Sequence, residues 1–216
     1  MYNSVGARMD FETAVEMFAS AYNKSPEWVK QQFRPTQSRL RLEQACSTTT
    51  TQINFPVIIN QGTPFNTEVR LNLQDIFVPT HVGIRFGNPT GATDASFKMF
   101  SYLNPFVFNV AMQAYYNGTL STLVNNVQYV NKWPVDWHYD SPETQQTAVA
   151  GAGSPVDEYN GSESGKVAMQ PYVTLNGQQN IQVSINLPVA PTAVTANSRI
   201  ILLYDGILFQ NATVVS

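Results

Sequence analysis

Charge is scarce in this 216-residue chain: Asp, Glu, Lys and Arg make up 12% of it, about half the usual share of roughly 25%. Asn, Gln, Ser and Thr fill the polar positions instead. A surface of neutral amides and hydroxyls repels other copies only weakly, so the composition permits association. The net charge is −3. Residues 1–46 hold six basic and five acidic side chains, and the remainder six and ten. Neither part offers the basic stripe that phosphate-binding proteins carry. Cys46 is the only cysteine, which excludes an internal disulfide and a thiolate zinc site. Two histidines, His81 and His138, are present, but no Gly-x-Ser-x-Gly elbow accompanies them, so a serine triad has no sequence support. No Walker loop or dinucleotide fingerprint occurs. No apolar run approaches the roughly 20 residues that cross a bilayer. The opening MYNSVGARMDFETA lacks the basic-then-apolar pattern of a secretory leader.

The head of the chain looks helical. In DFETAVEMFASAY, apolar residues at Phe11, Ala14, Val15, Phe18, Ala21 and Tyr22 fall on one helix face. A second, shorter helix is predicted in SPEWVKQQF, with Ser25 as cap, Pro26 in the first turn and Pro35 beyond its end. The two helices carry aromatic stripes, Phe11/Phe18/Tyr22 and Trp28/Phe33, that so short a pair cannot bury by itself. The second helix lacks a basic cluster, which argues against a DNA-reading helix-turn-helix. SRLRLEQ (38–44) then alternates arginines with leucines and reads as the amphipathic end of this head, with CSTTTTQ as a hinge. The predicted division is a helical arm over 1–46 and a β body over 47–216.

After the hinge the period changes from helical to alternating. Strands are predicted at QINFPVII, NTEVRLNL, DIFVPTHVGIRF, ASFKMFSYL, FVFNVAMQAYY, TLSTLVNNVQYV, KVAMQPYVTL, NIQVSINLPV and SRIILLYDGILFQNATVV. Asn117-Gly118 and Asn176-Gly177 suggest hairpin turns. Pro56, Pro79, Pro171 and Pro188 mark edges, bends or bulges, because proline cannot donate to a ladder. Many short strands with no helices between them define the fold class: mainly β, a single jelly-roll-like antiparallel β-sandwich with a short N-terminal helical arm. A polar stretch at about 140–165 is predicted to be an exposed loop.

Two local clusters carry functional options. WPVDWHYDSPE concentrates Trp133, Trp137, His138 and three acids. It reads either as a bend with both tryptophans in the core, or as a patch where Trp133 and Trp137 stack on a sugar or other ligand. DEYNGSES (157–164) has oxygen ligands but not the acid spacing of an EF-hand loop, so a solvated loop is expected and no metal or cofactor is implied. Paired carboxylates for glycoside hydrolysis need not be close in sequence, which leaves a β-sandwich hydrolase open, but no motif supports an enzyme.

RLRLEQ, a spacer, FPVIINQG, then NTEVRLNLQDIFVPTHVGI, and the closing SRIILLYDGILFQNATVV together resemble small virion structural proteins of phages infecting Bacteroidetes-type bacteria. The resemblance covers residues 38–90 and 178–216. It implies a jelly-roll capsid or penton subunit in the virion, whose partners are copies of itself and other virion proteins, with contact to an internal lipid layer left open. On that reading the helical arm reaches a neighbour through Phe11, Phe18, Trp28 and Phe33. The other class in play is a carbohydrate- or receptor-binding β-sandwich module of a fibre or spike.

Overall fold

The computed structural model describes residues 4–91, 93–105, 107–140 and 165–212. Two helices open it, α1 (Ser4–Ala21) and α2 (Pro26–Phe33). The start of α2 follows its sequence signals: the Ser25 hydroxyl accepts from the Trp28 N–H at 3.2 Å, Pro26 occupies the first turn, and Arg34 ends the helix in the left-handed region.

Ten strands follow: β1 (Thr36–Ala45), β2 (Gln52–Phe55), β3 (Ile76–Gly87), β4 (Met99–Phe100), β5 (Thr119–Val124), β6 (Val127–Pro134), β7 (Lys166–Ala168), β8 (Leu175–Asn176), β9 (Ile181–Asn186) and β10 (Arg199–Phe209). One sheet has the order β1-β10-β3, with the short β4, β7 and β8 all paired to the far side of β3. The other has the order β2-β9-β5-β6. Every ladder between these strands is antiparallel. With β7 and β8 counted as one interrupted strand and the two-residue β4 set aside, eight strands remain. Their orders are first-eighth-third-sixth and second-seventh-fourth-fifth. This double Greek key is a jelly roll.

The main core lies between the sheets. Leu40 and Leu42 of β1, Ile200, Leu202 and Tyr204 of β10, and Val82, Ile84 and Phe86 of β3 face Ile53, Phe55, Leu120, Val183 and Ile185 of the other sheet. A second core lies on the outside of the first sheet. There Ile76 and Val78 of β3 and Ile207 and Phe209 of β10 meet Ala14, Val15, Phe18, Val29 and Phe33 of the helices. The change of face along β3 has a local cause. The ladder slips between Asp205 and Gly206, opposite Pro79 and Thr80, so Phe77 points inward on one side of the slip and Val82 and Ile84 on the other. A one-residue bulge reverses which face each side chain takes. Proline sits at this slip because the ladder there is already interrupted. At Gly206 a Cβ would lie 2.2 Å from the Val78 carbonyl oxygen, so the two backbones approach too closely for any other residue.

Several elements differ from the sequence reading. SRLRLEQ belongs to β1, paired with β10 along its whole length, and is not the end of the head. The body therefore starts at Thr36, and CSTTTTQ is the connection that carries the chain from one sheet to the other. NTEVRLNL is irregular, with single bridges from Val69 to Arg41 of β1 and from Leu71 to Ile58. FVFNVAMQAYY contains a 3₁₀ helix, Val110–Asn117, capped by the Asn109 side chain. TLSTLVNNVQYV is two strands, β5 and β6, turning at Asn125 and Asn126, both with positive φ. Two left-handed residues in succession make the type I′ turn that matches strand twist; Asn117-Gly118 is not a hairpin turn.

Candidate functional site

Side chains read as intermolecular contacts lie mostly inside the chain. Phe18 is buried, stacks on Phe209 of β10 at 4.5 Å between ring centroids, and meets Phe33 edge-on at 5.3 Å. Trp28 meets Phe33 edge-on at 5.6 Å and is partly covered, as is Phe11. The head is also tied down by a polar bond, in which Asn176 Nδ2 donates to the Tyr22 hydroxyl at 2.9 Å, while Lys30 and Glu12 pair the two helices at 2.5 Å. Of the four side chains expected to reach a neighbour, Phe18 and Phe33 are instead buried on the chain's own sheet, while Phe11 and Trp28 keep part of their surface free. The first sheet exposes an apolar outer patch, and the aromatic stripes cover it.

The tryptophans are divided. Trp133 ends β6, partly buried against the main core, while Trp137, in the 3₁₀ turn Val135–His138, is 56% exposed. Their rings lie 6.0 Å apart at 49°. Tyr139 is exposed beside them and packs edge-on to Tyr116 at 4.9 Å. Trp137 is thus not a core plug. Val127 and Tyr129 on β6 are exposed as well. Among the described residues β6 is also a sheet edge, paired only with β5.

His138 is buried, directly before the segment 141–164, which lies outside the described residues together with DEYNGSES and nearly all of the predicted 140–165 loop. Its Nδ1 lies 3.3 Å from the Gly165 carbonyl oxygen, so that nitrogen carries the proton and donates. Among the described residues its Nε2 is buried without a close hydrogen-bond partner. Burial pushes the imidazole down to about 4, and Arg85 adds to this, against the opposing pull of the Gly165 and Val82 backbone and of Asp136. The ends of the segment are held together here: Ser101 Oγ donates to the Asp140 carbonyl at 2.8 Å, and Gly165 packs on the His138 carbonyl.

The few charges are concentrated on the outer side of the first sheet. Glu43, fully buried, accepts from Arg199 Nη1 at 2.9 Å, from Arg41 Nε at 2.7 Å, and from the Thr67 hydroxyl. Arg199 lies 4.1 Å from the centre of the Phe65 ring. Asp205 accepts from Arg39 and from Lys166. Burial raises the Asp205 carboxyl, but these two cations outweigh it and hold it below its usual range. Because the partners are complete and the loops at 65–70 and 90–97 cover them, this network is a structural clasp. His81 makes a contact of 3.8 Å with Asp10 and shares a hydrogen bond with Thr80, so it joins head to body. Cys46 has Ser198 and Tyr115 as partners, and burial pushes its thiol up to about 11, so it is a thiol and not a thiolate at neutral pH. Among the described residues no three His, Cys, Asp or Glu side chains gather in a way that could hold a metal ion, and no helix is long and apolar enough to cross a membrane.

No family model matches the chain, and comparison with curated proteins gives no significant match. The class is therefore defined by fold: an eight-stranded jelly roll with a helical pair docked on the outside of one sheet.

Proposed function

We propose that this chain is a structural virion protein, a capsid- or penton-type subunit that associates with copies of itself and with other virion proteins. The observation that carries the reading is the strand order, a single complete jelly roll, an architecture on which viral shells are commonly built. Fold by itself does not assign function, and three features support the choice. Charge is sparse, so copies repel weakly. Buried charges such as Glu43, Arg199 and Asp205 are paired within the subunit. Exposed apolar side chains at Val127, Tyr129, Trp137 and Tyr139 lie on the edge strand β6 and just after it. With the head docked on its own sheet, that edge replaces the arm as the proposed contact between copies. The exposed ring of Trp137 gives a receptor-binding module of a fibre or spike as the second reading, because exposed aromatic rings stack on sugars. Light scattering after size-exclusion chromatography, followed by negative-stain imaging, tests the first reading. Rings, capsomers or shells are expected. A species that stays monomeric as concentration rises, alone and with its virion partners, overturns it.

A further inference from the structure

Beside the edge strand β2 the chain forms a cleft of about 640 Å³. Its floor is β2 and the start of β9, and its rim is the loop at 61–63 with Arg70 behind it. Ile53 and Phe55 of β2, and Ile181 and Val183 of β9, have their side chains in the main core. Gln52, Asn54 and Gln182 therefore stand on the opposite, outer face, where they are exposed. Gln44 and Gln61 add two more amides to the lining.

The chemistry of this lining is unusual for a cavity of its size. Ligand pockets are mostly apolar with a few polar groups, whereas five of the twelve residues lining this one are amides. Among the described residues Arg70 is the only charged side chain in the lining, and Glu68 pairs with it. Its guanidinium donates to Glu68 at 2.6 Å and to the Gln61 carbonyl at 2.6 Å, which also fixes the shape of the rim. The Gln61 side-chain oxygen accepts from the Val57 and Ile58 N–H groups at 2.9 and 3.2 Å. That leaves its NH₂ for the cleft. The site thus presents an uncharged array of amides, in which Gln44, Gln52, Asn54 and Gln182 can both donate and accept and Gln61 donates.

We infer that this cleft binds a neutral, hydroxyl-rich ligand, an oligosaccharide. Sugar hydroxyls also donate and accept, so they match amides in either orientation. A phosphate, a carboxylate or a cation would find no free opposite charge. The inference is independent of the assembly reading and uses a face remote in sequence from the tryptophans.

The test uses the full chain titrated with four neutral hexasaccharides, of maltose, cellulose, mannan and chitin type, followed by saturation-transfer NMR and calorimetry. Self-association is measured on the same samples, so that a failure here is separate from a failure of the assembly reading. Binding of at least one hexasaccharide is expected. It should weaken about tenfold or more in the double variant Asn54→Ala/Gln182→Ala, which removes two neutral hydrogen bonds, and stay unchanged in Trp137→Ala. Both variants alter exposed side chains, and circular dichroism checks that they fold. The inference is overturned if none of the four binds, or if Trp137→Ala loses binding while the double variant keeps it. It is equally overturned if no sugar binds and the double variant instead loses self-association, since the occupant would then be a strand of a second copy.

Discussion

His138 couples stability to pH because its site has room for a neutral imidazole only. Protonation would bury a cation near Arg85, a cost that outweighs the backbone contacts with Gly165 and Val82 that favour it. The folded value near 4 lies below the unfolded value near 6.5. Stability is therefore constant above pH 6.5, falls as the pH drops through 6.5, and levels off below about 4. The full difference is about 3 kcal/mol, of which about 2 kcal/mol is lost by pH 5. Urea titrations at pH 7 and pH 5 should show this loss in the wild type and not in His138→Gln; parallel losses in both would place the acid sensitivity elsewhere. Asp205 acts in the same direction at lower pH. Its folded value is depressed, so its contribution is present above the unfolded value near 4 and lost as the pH falls further. Glu43 raises a different issue. Removing one member of a buried ion pair leaves the others without compensation, at a cost of about 3–5 kcal/mol. Glu43→Ala should destabilise by that amount in urea titration, whereas Val69→Ala, an exposed site nearby, should stay within about 0.5 kcal/mol.

At the scale of elements, the head belongs to the body. α1 and α2 cover the outer apolar patch made by Ile76, Val78, Ile207 and Phe209. Phe18→Ala should therefore cost about 3–5 kcal/mol, as expected for a large buried ring. Trp28→Ala should cost less, since that ring is only partly covered. Unfolding measured by circular dichroism, set beside light scattering, separates the possibilities. A Phe18→Ala chain of unchanged stability that no longer associates would restore the arm as an intermolecular device. The short strands β7 and β8 show a related dependence: each pairs only with β3, and the long β3 and β10 ladder organises both cores.

For the whole molecule, the proposed contact between copies is the β6 edge with Val127 and Tyr129. Ladder hydrogen bonds and apolar burial would hold it, and both respond weakly to ionic strength, unlike exposed ion pairs. Val127→Asp/Tyr129→Asp should reduce the assembled fraction at least tenfold in light scattering. Raising salt from 0.1 to 0.5 M should change it little in the wild type. Assembly that survives the two aspartates, or dissolves in salt, would move the contact away from this edge.

What the sequence determined by itself was local. Helical period and capping residues placed α1 and α2, alternation placed β9, and the absence of helical patterns after the hinge at 46–52 decided the mainly β class. Proline at Pro79 marked an interruption that the bulge makes concrete. Tertiary structure decided what local pattern leaves ambiguous. The alternation in SRLRLEQ fits a helix end or a strand, and only pairing with β10 selects the strand. The apolar run FVFNVAMQAYY became a 3₁₀ turn because its side chains plug the end of the sandwich, while no neighbouring strand pairs with its backbone. Whether Phe18 would cover its own sheet or another copy depended on Phe209, 191 positions away in the chain. The cleft had no signature at all. Its amides come from β1, β2, the loop at 61–63 and β9, and a neutral amide in sequence looks the same whether it faces water or lines a site. Only the fold, by bringing distant strands to one edge, makes an array of them.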